Sequence, residues 1–581
     1  MGGHIYVGPG DTLGRDLRAL RSEDNQFIAC EAFLILFRNG VVQVYAHHVN
    51  TKLYNTGVDV EGTPVIGLRP SNSEVSLPEN EEVFDLAGVL LNLRDVYCFS
   101  SEEHPGMFRS EGDIMVLQPW SGVEIIDQKA EDEHLTYIVR SEDCFMPRGV
   151  ARTSRFVLSL GDAPPYVGRY IVPDWWYGAC EELWPAPVMP VRGPFRKATD
   201  EVGETILKYQ VSGSFEDGMI WRYLRKDVRR GRPVGNEPSR DGEESFALMI
   251  YYYLSGDQRY LYAALRNTYN VADLAVNHAD FTMHFHNYWN MISVTYHRFR
   301  GLVLAYLETG DRYLLQTAEG VAHQFLSLHR SNWPRRTVGR GCYPVLGFLS
   351  LYDYTGDHRY LNFAREVLHD LAATQRPDGD MGQEAGIGLY GECNNVGGHW
   401  PTAGLNFEVM VEYLLRAGSD PVVEDMMRKV ADWTVERQGE DGSWRGGYPL
   451  ITAYVVKNLL CAGLLLREPR YFKAIKRTVR WFLAARQSFG THAYTVLKNF
   501  PFYEAFIWGA QLTEDGVQLE PLPILAGVDT PSEVSTPWGK LILRLKNEGR
   551  GTIFSTSSEE DFLVRVVLPG SRVHIREGGI P

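Results

Sequence analysis

At 581 residues the chain is too long for one ordinary hydrophobic core, so two or three domains are expected. Hydrophobic residues make up 44% and charged residues 23%, the usual balance of a globular protein. A formal net charge of -15 with no run of five basic residues excludes a nucleic-acid backbone as partner and leaves small or carbohydrate ligands open.

The chain opens with MGGHIYVGPGDTLG, which has neither the basic nor the apolar region of a secretory leader, and no stretch approaches the ~18 apolar residues of a membrane span. No membrane partner is expected. The cytoplasm is the default location, with secretion the alternative if a leader has been removed. FLILFRNGVVQVYAHHV, from Phe33 to Val49, is two β-rich runs about Asn39-Gly40, a pair that tolerates the positive φ of a tight hairpin. LTYIV and RFVLSL continue the pattern, and an N-terminal β-sandwich is expected over residues 1–172. Residues 173–200, rich first in aromatics and then in proline, read as a linker. The seven cysteines are odd in number, scattered and without a CxxC pair, so reduced thiols are expected.

From 201 to 512 a repeat takes over. SGDQRYL at Ser255, TGDRYL at Thr309, TGDHRYL at Thr355, AGSDPVV at Ala417 and LREPRYF at Leu466 each lie between two helix-length apolar segments, about 50 residues apart. Glycine or proline ends one helix in each, and aspartate or serine caps the next. The helices entering these turns are predicted to start near Glu243, Met291, Pro344, Ala403 and Ile451, with a sixth near Phe502; FEDGMIWRYLRKDVRR is the expected partner of the first. Six two-helix hairpins, with the more apolar helices inside, make an (α/α)6 toroid. KLILRLKN, GTIFSTS and FLVRVVLPGSRVHI return to strand alternation and make a small C-terminal β-element over 513–581. The fold class is therefore multidomain α+β.

If every short turn lies at one end of the toroid, every long connection into an inner helix lies at the other, and that rim collects the unusual polar residues. SRDGEES supplies Asp241, Glu243 and Glu244 at an inner-helix N-terminus, where carboxylates also simply complement the helix dipole. The long Gly-rich loop supplies Glu392, with Glu384 and Asp380 as weaker candidates, and Asn394, Asn395 and His399 beside it. NHADFTMHFHNYWN supplies His284, His286, Asn287 and Tyr288; TYHRFRG adds Tyr296, His297 and Arg298. In an extended strand His284 and His286 would point the same way, as in a metal pair completed by His278 or His399. No carboxylate or cysteine stands at a familiar spacing from them, so no metal is expected and hydroxyl recognition is preferred. Arg340, Trp444 and Tyr448 complete the expected substrate-binding set.

QGEDGSW, Gln438 to Trp444, matches the QxxDGxW pattern recurring in α/α-toroid proteins, and QRPDGDM at Gln375 is a partial copy. With the order β-domain, linker, toroid, β-element, the chain resembles the six-hairpin carbohydrate-active enzymes, among them glucoamylase-like hydrolases, inverting phosphorylases and rhamnosidases. The resemblance implies a carbohydrate substrate and no cofactor. A homo-oligomer is compatible with it. Hydrolysis would use a carboxyl pair, one protonated to assist the leaving oxygen and one ionised to activate water or attack the sugar, drawn from Asp241, Glu243, Glu244 and Glu392 with His286 and His297 in support. The rival is a uronate lyase or C5-epimerase, which neutralises a substrate carboxylate with Asn, His or Arg and removes a proton with Tyr or His. A non-catalytic scaffold is the third reading, and it leaves the polar rim unexplained.

Overall fold

The computed structural model describes residues 174–180, 187–210, 243–285, 288–292, 298–330, 342–373, 375–381, 404–444, 449–484, 494–514, 516–522, 530–537, 539–548, 551–558 and 563–566, together with strand backbone between 3 and 160 and between 220 and 239. The chain falls into two compact units: Met1–Ile171, Ile206–Met249 and Leu261–Pro334 form one, and Val172–Thr205, Ile250–Tyr260 and Arg335–Pro581 form the other.

The first unit begins with β-structure, as the sequence pattern requires. Ile28–Leu36 pairs antiparallel with Val41–Asn50 across the expected hairpin, with Leu36 opposite Val42. They join Ala151–Leu160, Val89–Tyr97 and Val83–Asp85 in a five-stranded sheet, and Gly3–Pro9, Pro64–Pro70, Ile114–Gln118 and Met107–Glu111 form a separate four-stranded one. The LTYIV run is a strand, Leu135–Ser141.

The helices are α1 (Asp174–Gly178), α2 (Arg196–Tyr209), α3 (Glu243–Ser255), α4 (Gln258–Asn270), α5 (Arg300–Thr309), α6 (Arg312–Arg330), α7 (Val345–Thr355), α8 (His358–Ala372), α9 (Phe407–Ala417), α10 (Pro421–Glu436), α11 (Pro449–Leu465), α12 (Arg470–Ala484) and α13 (Tyr494–Trp508). The short turns behave as the repeat predicts. Gly356 takes φ 66° after α7, and Asp357 then accepts from Arg359 N–H at 2.9 Å to cap α8. Asp420 caps α10 in the same way through Val422 N–H and Val423 N–H, a contact worth about 1 kcal/mol.

In the second unit these hairpins stack in two layers. α7, α9, α11 and α13 pack side by side in one layer, and α8, α10 and α12 in the other. Burial follows sequence: α11 is apolar almost all round, whereas α12 buries one stripe, Tyr471, Ala474, Ile475, Val479 and Phe482, and exposes its basic face. Bonds between layer mates fix the direction. Asp353 near the end of α7 meets Arg416 near the end of α9, while Tyr343, Glu408, Tyr454 and Lys498 meet at the beginnings of α7, α9, α11 and α13. The four inner helices therefore run parallel, with their N-terminal ends on one side.

Three expectations are corrected. Met291 lies in a strand, Tyr288–Ile292, and the next helix starts only at Arg300. FEDGMIWRYLRKDVRR holds the strands Ile220–Trp221 and Leu224–Lys226 instead of a helix, its Trp and Tyr favouring extended pairing; the helix before α3 is α2, part of which had been assigned to the linker. The last inner helix begins at Tyr494 and carries Pro501 inside it. After it come strands Ser532–Thr536, Gly539–Glu548 and Gly551–Ser558 in one antiparallel sheet, with Leu563–Val566 in another, as the C-terminal pattern predicts.

Candidate functional site

The sequence-predicted carboxylates divide sharply. Glu243, the first residue of α3, is buried, and Arg300, the first residue of α5, grips both its oxygens: Nε donates at 2.9 and 3.1 Å, and Nη2 makes a further close ion pair. The guanidinium stacks on Phe246, 3.7 Å from the ring centre. A forked Arg clamp of this kind favours the carboxylate anion, so Glu243 suits the ionised partner of a pair and not the proton donor. Glu244 and Arg298 are buried in the same unit. Asp241, Glu392, Glu384, His286, His297, Asn287, Tyr296, Arg340, Asn394, Asn395, His399 and Tyr448 lie outside the described residues, and of His284 and Tyr288 only the strand backbone is described.

Two residues of the expected rim prove to be packed inside. Trp444 is fully buried and its indole N–H donates to Thr434 O at 2.9 Å, so it has no face to offer a sugar. It belongs to a turn that clamps neighbouring outer helices: Gln438 reaches from the end of α10 to Gly442 O, Ala474 O and Thr478 Oγ1 of α12. Gln375 does the same from the end of α8, to Gly379 O and to Met426 O of α10. Gly379 and Gly442 take φ 92° and 91°, and a Cβ on either would strike the backbone of the next outer helix. QxxDGxW here is a spacer between outer helices. Asp380, inside the first copy, is tied to Arg376. His278, considered as a third metal ligand, stacks on Tyr313 and meets Ala272 O at 2.8 Å; burial pushes its pKa down to about 4. It is part of a buried network that joins His47 and Thr153 of the five-stranded sheet to Asp273, Asp311 and Tyr313. Among the described residues no group of three His, Cys, Asp or Glu is disposed to hold a metal ion.

The densest polar constellation is one that the motifs did not single out. Near the N-terminal ends of the inner helices of the second unit, Lys498 donates to Glu408 Oε1 at 2.9 Å, to Glu408 Oε2 at 3.1 Å and to Tyr343 Oη at 2.9 Å. Tyr343 lies 3.1 Å from Glu408 Oε2 and 3.1 Å from Tyr454 Oη. All four residues are 0 to 1% exposed, closed off from solvent in this structure. The cluster continues along α9, where Glu408, Glu412 and Arg416 share a face at four-residue spacing. Lys457 pairs with Glu412, and Arg416 pairs with Glu412 and with Asp353 at 2.6 Å. Positive and negative groups alternate down the whole inner layer. Burying such a ladder costs several kcal/mol per ion before pairing offsets it, and apolar residues of equal volume would pack at least as stably. The signal available in sequence was the interruption of apolar helices by charge, in FEVMVEYLLRA, ITAYVVKN and YTVLKNFPF. Cys342, next to Tyr343, donates to Asn406 Oδ1, and burial pushes its thiol well above the usual range, so it is not a poised nucleophile.

No family model matches the chain, and no curated protein matches it. Over about half its length it is similar to solved structures of carbohydrate-processing enzymes. A cellobiose 2-epimerase from Spirochaeta thermophila aligns at 12% identity over 54% of this chain and 97% of that one, with TM-score 0.39. A family 88 glycosyl hydrolase from Bacteroides vulgatus aligns at 12% identity over 53% and 98%, with TM-score 0.39. An α-1,6-mannanase from Salegentibacter aligns at 14% identity over 53% and 98%, with TM-score 0.36. No helix among the described residues is long and apolar enough to cross a membrane.

Proposed function

We propose that the chain is a carbohydrate-active enzyme with a toroidal catalytic region of six helical hairpins and an N-terminal β-sandwich, acting on a glycan or oligosaccharide at the end where the inner helices begin. The observation that carries this reading is the convergence of Tyr343, Glu408, Tyr454 and Lys498, brought together by α7, α9, α11 and α13 at the end where these helices begin. Buried acid, base and hydroxyl groups gathered at the mouth of a helical ring are the equipment of proton-transfer chemistry on a sugar. Glycoside hydrolysis is the first choice of reaction. Glu243, held anionic by Arg300, would serve as base or nucleophile, with Asp241 or Glu244 as the protonated partner.

A second reading is favoured by one arrangement. The Tyr343 hydroxyl donates to Glu408 and accepts from the Lys498 ammonium, which places a hydroxyl, a carboxyl and an amine in one hydrogen-bonded chain. That is the apparatus of a lyase or epimerase, which draws a proton from carbon. Digestion of an oligosaccharide panel followed by mass separates the reactions: water gained means hydrolysis, an unsaturated product with ultraviolet absorbance means elimination, and unchanged mass with altered stereochemistry means epimerisation. Under hydrolysis, at least one of Glu243→Gln, Glu244→Gln and Asp241→Asn lowers kcat by ~10²-fold or more, a larger loss than Tyr343→Phe causes. The reverse ranking would overturn hydrolysis.

A further inference from the structure

Beside the Tyr343 cluster stand two asparagines whose amides are half used. Asn406, just before α9, is 0% exposed; its Oδ1 accepts from Cys342, and its Nδ2 finds no partner among the described residues. Asn458 on α11 is also 0% exposed; its Nδ2 donates to Gly404 O at 3.3 Å, and its Oδ1 finds no partner among the described residues. Both adjoin the cluster. Asn458 follows Tyr454 by one helical turn on the same face, and Gly404 packs so close to Tyr454 that a Cβ there would lie 3.5 Å from its ring. Asn406 reaches the cluster through Cys342, the neighbour of Tyr343.

A buried polar atom left unpaired costs ~1–3 kcal/mol, and native interiors rarely keep one without a reason. Here one spare donor and one spare acceptor come from neighbouring helices, Asn458 being bonded to Gly404 two residues before Asn406. Together they complement sugar hydroxyls, each of which both gives and accepts a hydrogen bond. The surrounding charges narrow the class. Lys498 is matched by Glu408, Lys457 by Glu412, and Arg416 by Asp353 and Glu412, so a carboxylate entering here would have to compete with protein carboxylates already in place. We infer that Asn406 and Asn458 form a subsite for the hydroxyl groups of a neutral sugar ring, not a uronate; the inference rests on the carbohydrate reading above.

The test is the thermal shift of the full chain with D-glucose, D-mannose, D-galactose, cellobiose and D-glucuronate. At least one neutral sugar should raise Tm in the wild type. In Asn458→Leu and Asn406→Leu the apparent Kd for that sugar should rise tenfold or more, while Tm without sugar stays within a few degrees of wild type, because each change removes an unpaired polar atom along with one hydrogen bond. If the leucine variants do not fold, Asn406→Asp, which keeps the shape but exchanges the spare donor for an acceptor, must weaken the same sugar. Unchanged sugar affinity in the variants, a shift by glucuronate alone, or no shift by any sugar would each overturn the subsite. Glycan turnover detected by mass alongside unchanged affinity in the variants would sink the subsite and leave the enzymatic reading standing.

Discussion

Glu408 on α9 and Glu504 on α13 are both buried carboxyls on inner helices, and they are accommodated in opposite ways. Glu408 receives two bonds from the Lys498 ammonium and stands beside the Tyr343 hydroxyl. Glu504 has weaker company: Phe195 N–H and the Ser532 hydroxyl each approach at 3.4 Å, and Arg196 acts on it without a bond. Burial pushes its pKa up to about 8. A carboxyl taken out of water keeps its charge when a cation is bonded to it and otherwise keeps its proton, so at pH 7 Glu504 is largely neutral.

The sharpest way to break the comparison is to make Glu408 resemble Glu504. Lys498→Met removes the bonded ammonium and should cost ~3–5 kcal/mol in a urea titration at neutral pH. A loss under 1 kcal/mol would mean that the pairing contributes little.

The next effect concerns Glu504 and pH. Its folded pKa lies above the ordinary glutamate value near 4.5, so the folded state holds the proton that the unfolded state releases. The stability it contributes is complete below about pH 4.5 and is lost as pH rises through about 8. Glu504→Gln should therefore be more stable than wild type by a few kcal/mol above pH 8, and the advantage should vanish by pH 4. Parallel stability profiles for the two proteins would show that Glu504 is ionised in the fold.

Packing supplies the smallest expected effect. A Cβ on Gly193 would fall 1.7 Å from Glu504 Oε2. Gly193→Ala should cost ~1–3 kcal/mol by displacing that carboxyl. In the Glu504→Ala background, where the clashing atoms are gone, the same change should be nearly neutral, and a persisting loss would locate the strain elsewhere.

Much of the fold was legible because its determinants are local. The glycine and aspartate of TGDHRYL specify a left-handed cap and the next N-cap whatever surrounds them, and α7 and α8 follow as predicted. The antiparallel pairing of Ile28–Leu36 with Val41–Asn50 was legible from two β-rich runs close together in the chain. Misreadings arose where two states compete: the aromatic run around Trp221 pairs as strands although its spacing also fits a helix. For the site, Glu243 could be found because a helix N-terminus marks itself in sequence, yet its partner Arg300 is 57 residues away and carries no mark of the pairing. Trp444 was misassigned for a related reason: its motif shows that the residue matters, not whether the ring faces solvent.

By itself the sequence determined the hairpin repeat, the alternation of apolar and amphipathic helices and the strands at either end, since each depends on neighbours within a turn or two. Only the tertiary structure decided which charges meet. Lys498 bonds to Glu408 across 90 residues and to Tyr343 across 155, and Gln438 bonds to Ala474 of the next outer helix. In the sequence these are isolated polar residues. They become an ion ladder, a helix clamp and a candidate reaction centre only because parallel packing brings the same turn of successive helices to one level, where burial makes each unpaired group costly and each pairing specific.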